Sequence, residues 1–243
     1  MKRVDSIAAY LNKSDADILI LQEVFHKRAR KRLSKLLESK YPDQTMVGPK
    51  TIWGVPSGVM ICGTWDHLGI GEFHRSFNNG TGSDNLADKG IIMNVYKIDS
   101  TMVNIIGTHL QAGGGGKREK IRMEQLDIIK KLNHTIADSE VVIYAGDFNI
   151  DYNSNFYDSI EVKLNSTNLL PDGALKHTAN FTDHDLMNSE GTPKWIDFIL
   201  LRRSEWARIS DSRIEEPRQI IDDQKERLSD HNPIISTIVI TSQ

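Results

Sequence analysis

Short apolar runs bounded by polar residues recur along this 243-residue chain and set most of the expected elements. The run Asp17-Ile-Leu-Ile-Leu-Gln22 predicts a strand, as do residues 58–62, 90–98 and 102–108. Three more strands are expected at Val141-Val-Ile-Tyr144, at Trp195-Ile-Asp-Phe-Ile-Leu-Leu201 and at residues 234–240. Apolar residues at helical spacing (Ala29, Leu33, Leu36, Leu37) predict a helix over 27–39, ending near Tyr41-Pro42 because proline opposes its continuation. Further helices are read over 4–13 and 118–133, the second after the glycines Gly113 to Gly116, which hold regular structure poorly. A loop around Trp53-Gly54 precedes the strand at 58–62. Strands outnumber helices, and no repeat or low-complexity linker divides the chain. The expected fold is therefore a single α/β domain over 1–243 with α+β layering: two packed sheets flanked by helices.

Composition changes this picture little. Hydrophobic content of 39% and charged content of 26% are ordinary for a globular chain. The net charge of −3 opposes a general grip on nucleic-acid phosphates. The basic run from His26 to Arg32 reads as the solvated face of a helix. Cys62 is the sole cysteine and lies in an apolar run, so a buried thiol without an intrachain disulfide is expected. No segment has the apolar length of a transmembrane helix, and residues 1–25 lack a signal-peptide pattern. The compartment stays open between cytoplasmic and secreted with a signal removed, and so does the oligomeric state.

The candidate chemistry sits at the ends of the apolar runs. Glu23 follows the first strand, where a carboxylate is costly to bury without a cation or hydrogen bonds, although an exposed strand-end residue is the bland alternative. His109 follows the strand at 102–108. Asp147 and Asn149 stand at alternate positions, which would project them to one side of an extended chain; a Gly/Asp/Asn-rich turn is the other reading. Asp197 lies inside an apolar strand and needs a partner, for which the imidazole of His231, next to Asp230, is a natural one. Carboxylates, an amide and no cysteine ligands suit a hard cation such as Mg²⁺. Such a cation beside a histidine base is equipped for phosphodiester hydrolysis.

The motifs QEVF, GTHLQA, GDFN, WIDFIL and SDHNP, in that order, resemble those of the endonuclease/exonuclease/phosphatase superfamily, with its deoxyribonuclease-I-like fold. Three segments are most similar to the sphingomyelinase C branch: residues 41–48, Phe77 to Gly90, and Thr108-His109-Leu-Gln-Ala112. The resemblance implies a four-layer sandwich of two packed mixed sheets flanked by helices, and divalent-metal hydrolysis of sphingomyelin to ceramide and phosphocholine. It implies Glu23 as a ligand of Mg²⁺ (or Mn²⁺ or Co²⁺), with Asp230 in or beside the metal shell. Asp147 and Asn149 would orient water and phosphate, and His231 would be the general base. Asp197 would orient a catalytic histidine. His109 would stabilise the pentacoordinate phosphorus or assist the leaving oxygen, and Asp84 and Lys89 would form a substrate-binding pair.

Three departures accompany it. The family's first strand, which bears a metal-site asparagine, has no counterpart, so a truncated N-terminus is expected. Thr81 stands where secreted members carry a cysteine. Residues 202–228 are charged where haemolytic members carry an aromatic hairpin, with Trp206 the only large aromatic, so weak bilayer insertion is expected. The expected partner is a phosphocholine lipid met peripherally at a membrane surface. The alternatives are a metal-dependent nuclease and a lipid-binding paralogue without turnover.

Overall fold

The computed structural model describes residues 2–46, 56–68, 73–85, 87–180, 191–221 and 224–241. The expected loop at Trp53-Gly54, Gly48 and Leu86 of the quoted motifs, and Asp222-Asp223 lie outside the described residues. The first half of the chain runs α1 (Lys2–Lys13), β1 (Ile18–Leu21), α2 (Lys27–Leu37), β2 (Asp43–Met46), β3 (Met60–Gly63), β4 (Phe73–Ser76), β5 (Gly90–Ile98) and β6 (Thr101–His109). The second half runs α3 (Gly116–Asn133), β7 (Val141–Asp147), α4 (Tyr157–Leu164), β8 (Ser166–Thr167), β9 (Asp197–Arg202), β10 (Ala207–Ile214), β11 (Arg218–Ile221), β12 (Gln224–Arg227) and β13 (Ile234–Ile240).

Strand alternation sorts side chains into separate cores, and that sorting makes the layers. From the six-stranded sheet β4-β5-β6-β7-β9-β8, Ile92, Val103, Ile105, Val141 and Ile143 point to a central core. They meet Ile18, Ile20, Val59 and Ile61 of one facing piece (β1-β3-β2) and Ile209, Ile238 and Ile240 of another (β10-β13). The intervening residues Ile91, Ile106, Val142 and Tyr144 point the other way, onto Leu126 and Ile129 of α3 and Ile160 and Leu164 of α4. On the opposite outside, Leu19, Met60 and Cys62 pack against Ala8 and Leu11 of α1 and Leu33 and Leu37 of α2. The layers are thus α1 and α2, the two strand pieces, the six-stranded sheet, and α3 and α4, as expected for the four-layer class.

Cys62 is fully buried and free, and burial pushes its thiol up to about 12. Strands β5 and β13 match the expected bounds, and β6 and β7 run a residue or more beyond theirs. Asp197 opens β9 instead of lying within it, since Trp195 and Ile196 precede the regular pairing. The segment 202–228 carries strands β10, β11 and β12, which its charges concealed.

Two glycines hold the strand ends together. A Cβ on Gly146 (φ 142°) would overlap the Thr108 carbonyl across the parallel β6–β7 pair, so only glycine allows this approach. Gly58 (φ 74°) lies under the Phe25 ring, and its carbonyl accepts from the Val24 N–H just after Glu23.

Candidate active site

Sheet register gathers the site. His109 is the Cα partner of Asp147 across the parallel β6–β7 pair, and Asp147 is the partner of Asp197 across the antiparallel β7–β9 pair. Directly opposed residues share a face of the sheet, so an imidazole and two carboxylates form one transverse row. His231, in the loop before β13, closes the row with Nδ1 2.8 Å from Asp197 Oδ2. Ligand atoms of Asp147, Asp197 and His231 lie within 4.8 Å of one another, the one such cluster found among the described residues. The row stands at the carboxyl ends of β6 and β7, where open α/β sheets bind ligands.

Asp147 and Asn149 do meet, by a route other than strand alternation. Asn149 takes a left-handed backbone (φ 51°), and its N–H donates to Asp147 Oδ1 at 2.7 Å. Its side-chain Nδ2 donates to Asp147 Oδ2 at 2.9 Å and to the Leu110 carbonyl at 3.2 Å. Asparagine tolerates this region through such local bonds, which makes the turn, not the alternation, the cause of their proximity. Glu23 is also left-handed (φ 58°). Among the five described non-glycine residues with positive φ, Glu23 is the one that is neither Asn nor Asp, which makes it the strained position.

On the other flank, Lys89 is buried at 6% exposure. Its Nζ lies 2.9 Å from Asp84 Oδ2, 2.9 Å from His109 Nε2 and 3.1 Å from the Leu110 carbonyl. An ammonium only donates, so Nε2 of His109 accepts and the ring proton belongs on Nδ1. His109 is 1% exposed, and its Nδ1 has no hydrogen-bond partner among the described residues. Burial, reinforced by the Lys89 charge, holds this ring well below the ordinary imidazole value and therefore neutral.

Charge in the row is unbalanced. Burial and the neighbouring Asp197 raise Asp147 above the usual carboxylate range. Glu23 reaches solvent, yet partial burial of its carboxyl and the charge of Asp230 raise it as well, with smaller influences from His231, Lys89 and Asp84. Burial alone would lower His231, but the charge and hydrogen bond of Asp197, with Asp147 and Asp230 behind them, push it up to about 10. Two carboxylates raised by burial and by their acidic neighbours, beside a stabilised imidazolium, make an oxygen-rich, anionic donor set. A hard divalent cation fits those residues.

The sequence reading did not single out several supporting residues. Thr178 Oγ1 accepts from the backbone N–H groups of Ile196 and Asp197, both at 3.0 Å. Ser229 Oγ accepts from the His231 N–H at 3.1 Å. Gln111 pairs with Thr81 in both directions, accepting from its N–H at 2.8 Å and donating to its carbonyl at 3.3 Å. Its Nε2 also reaches Asp84 at 3.0 Å. The amide thus makes a non-covalent clasp between Thr81 and the segment after β6. Gln111 lies in the quoted HLQA motif and Ser229 opens the quoted SDHNP motif, which were signals; Thr178 had none beyond polarity.

The four-layer sandwich and its strand-end row of carboxylates, amide and imidazoles define the deoxyribonuclease-I-like class of proteins. The chain belongs to the Endonuclease/Exonuclease/phosphatase family, whose pattern matches residues 1–231. Its similarity lies in the sphingomyelinase C branch. A sphingomyelinase C of Bacillus cereus is 33% identical over 172 residues, which cover 62% of this chain and 50% of that protein. The chain therefore spans about half the length of this relative. A beta toxin of Staphylococcus aureus has the same fold, with a TM-score of 0.85 and 24% identity, over 97% of this chain and 91% of that one. Another structure of that toxin, with bound magnesium ions, matches with a TM-score of 0.83 and 22% identity over 99% of this chain and 92% of that one.

Proposed function

We propose that this chain is a divalent-metal-dependent phosphodiesterase that hydrolyses sphingomyelin to ceramide and phosphocholine. The observation that carries the reading is the row of His109, Asp147, Asp197 and His231 at the strand ends. The kinship with sphingomyelinases C, and the magnesium bound by a protein of this fold, support the substrate class and the cation. Glu23, Asp147 and Asp230 would hold Mg²⁺, which supplies a Lewis acid for the phosphoryl oxygens.

The chain's own residues do the rest. His231, with Nδ1 fixed by Asp197, takes the proton of the attacking water at Nε2. Asp197 holds the tautomer and stabilises the imidazolium that forms. Asn149, whose amide donates to Asp147 and to the Leu110 carbonyl, holds the Asp147 carboxylate in the orientation that water and phosphate need. Lys89, paired with Asp84 and oriented by the neutral His109, offsets charge building on the phosphate and leaving oxygen. The phosphocholine lipid is met peripherally: no helix among the described residues is long and apolar enough to cross a membrane.

Release of phosphocholine from sphingomyelin, with and without Mg²⁺, tests the reading against a His231→Ala variant. Mg²⁺-dependent turnover that vanishes in the variant is the expected result. Turnover that survives the substitution would remove His231 as the base, and nicking of plasmid DNA in place of lipid hydrolysis would favour the nuclease alternative.

A further inference from the structure

One surface outside the site has a consistent chemistry. Helix α2 carries six basic residues and no acidic one in its 11 positions, in a chain whose net charge is −3. Lys27, Arg30, Lys31 and Lys35 follow i, i+3, i+4, i+8 spacing, which places them on one helical face. Leu33 and Leu37 occupy the buried face. Arg32 is engaged by Asp5, whereas no carboxylate among the described residues pairs with the four on the common face. They line a hollow of about 550 Å³ between α2 and β2. Glu38 is its single acidic residue, and Met46 of β2 contributes an apolar wall.

This surface lies toward the catalytic end of the sandwich. Leu21 pairs with Met60, which also pairs with Met46, so Met46 is level with the end of β1. Glu23 follows that end directly, and Lys27 opens α2 four residues later.

We propose that the basic face of α2, with its hollow, docks on the headgroups of anionic phospholipids and holds the Glu23 end of the sandwich against the membrane. The proposal rests on the lipid-hydrolase reading for its choice of a membrane over a nucleic acid. The net negative charge supports that choice, because it argues against an extensive basic track along a polyphosphate backbone. Headgroup phosphates and carboxylates are discrete anions that a short row of lysines and arginines can meet. At physiological salt, screening over about 8 Å restricts the attraction to charges at the contact itself.

The test is vesicle co-sedimentation of the full chain, using one set of phosphatidylcholine and sphingomyelin and another with phosphatidylserine replacing part of the phosphatidylcholine. The wild-type chain should prefer the phosphatidylserine set and lose that preference as salt rises. Combining Lys27→Gln, Arg30→Gln, Lys31→Gln and Lys35→Gln should weaken binding to it by about 100-fold or more, at roughly fivefold for each charge near an anionic surface. Binding to the zwitterionic set and hydrolysis of sphingomyelin in detergent micelles should be unchanged. Circular dichroism checks the variant's fold, and the double variant Arg30→Gln/Lys35→Gln with the wild-type salt series decides the matter if the quadruple variant misfolds. The proposal is overturned if the wild-type chain shows no preference for phosphatidylserine, if a folded variant keeps it, or if a short DNA duplex binds and the vesicles do not. Absence of micellar turnover in the wild type would count against the lipid-hydrolase reading and not against the surface.

Discussion

Replacing Asp197 with asparagine should uncouple His231 from the charge that governs it. His231 rises from the ordinary 6.5 to about 10 although burial opposes the rise, with Asp197 the leading opposing influence. At about 1.4 kcal/mol per pKa unit the rise amounts to about 5 kcal/mol in favour of the imidazolium. Solvent reaches the ring, whose side chain is 28% exposed, and screening trims the figure to ~3 kcal/mol. A raised histidine stabilises the folded chain fully below the unfolded pKa. In the cation-free protein that stabilisation is lost as pH climbs from 6.5 toward about 10. Asp197→Asn keeps the shape and removes the charge, so His231 should fall toward or under 6.5 and the stability slope over that window should flatten. Histidine-ring NMR titration and urea denaturation across pH, both in chelator, measure the two effects. Added Mg²⁺ should draw the wild-type value down, because a cation on the neighbouring carboxylates opposes an imidazolium and frees His231 to act as a base. A wild-type His231 that titrates near its ordinary value in chelator, or one unmoved by Asp197→Asn, would refute the reasoning.

Other predictions address separate parts of the site and fold. Asn149→Gly should lower turnover by about 10–100-fold, as losing the amide that orients a ligating carboxylate does, while retaining the left-handed turn. Asn149→Ala should lose similar activity and a further ~1 kcal/mol of stability from the strained backbone, and equal denaturation midpoints for the two variants would contradict the turn argument. Gly146→Ala forces a Cβ onto the Thr108 carbonyl and should cost about 3 kcal/mol or more by chemical denaturation; a loss under about 1 kcal/mol would show that the strands can part. Saturating Mg²⁺ at about 100 times its dissociation constant should stabilise the chain by about 2.7 kcal/mol, with EDTA reversing both this and turnover. The β11–β12 hairpin exposes Ile220 beside Arg218, Gln219 and Glu226, so vesicle-leakage assays should show little lysis, and strong leakage would contradict the expected weak insertion.

The residues of the site were legible in the sequence because each stands where an apolar run stops, and apolar runs are what periodicity detects. Strands β5, β6, β7 and β13 were visible for that reason. Strands β2, β10 and β12 were not, because edge and outer-face positions such as Gln44, Arg208 and Glu226 can be polar without penalty. What periodicity cannot supply is register. That His109, Asp147 and Asp197 fall in one row depends on a parallel pairing made across α3 and an antiparallel one made across the 50 positions from 147 to 197. Protonation depends on register in turn. Two histidines that look alike in sequence, each at the edge of an apolar strand, end in opposite states. His109 Nε2 stands 2.9 Å from the Lys89 ammonium and 3.4 Å from Asp147 Oδ2 in a closed interior, where burial keeps the ring neutral, whereas His231 faces Asp197 and is pushed up. The difference assigns the work: the ring raised by Asp197 can collect a proton, and the deeply buried ring against the ammonium can only aim a charge. A variant removing both neighbouring charges, Lys89→Met with Asp197→Asn, should therefore erase the distinction, leaving both rings neutral near pH 7 in the cation-free chain. NMR titration showing His231 still protonated there would place the source of its charge elsewhere, in Asp147 and Asp230.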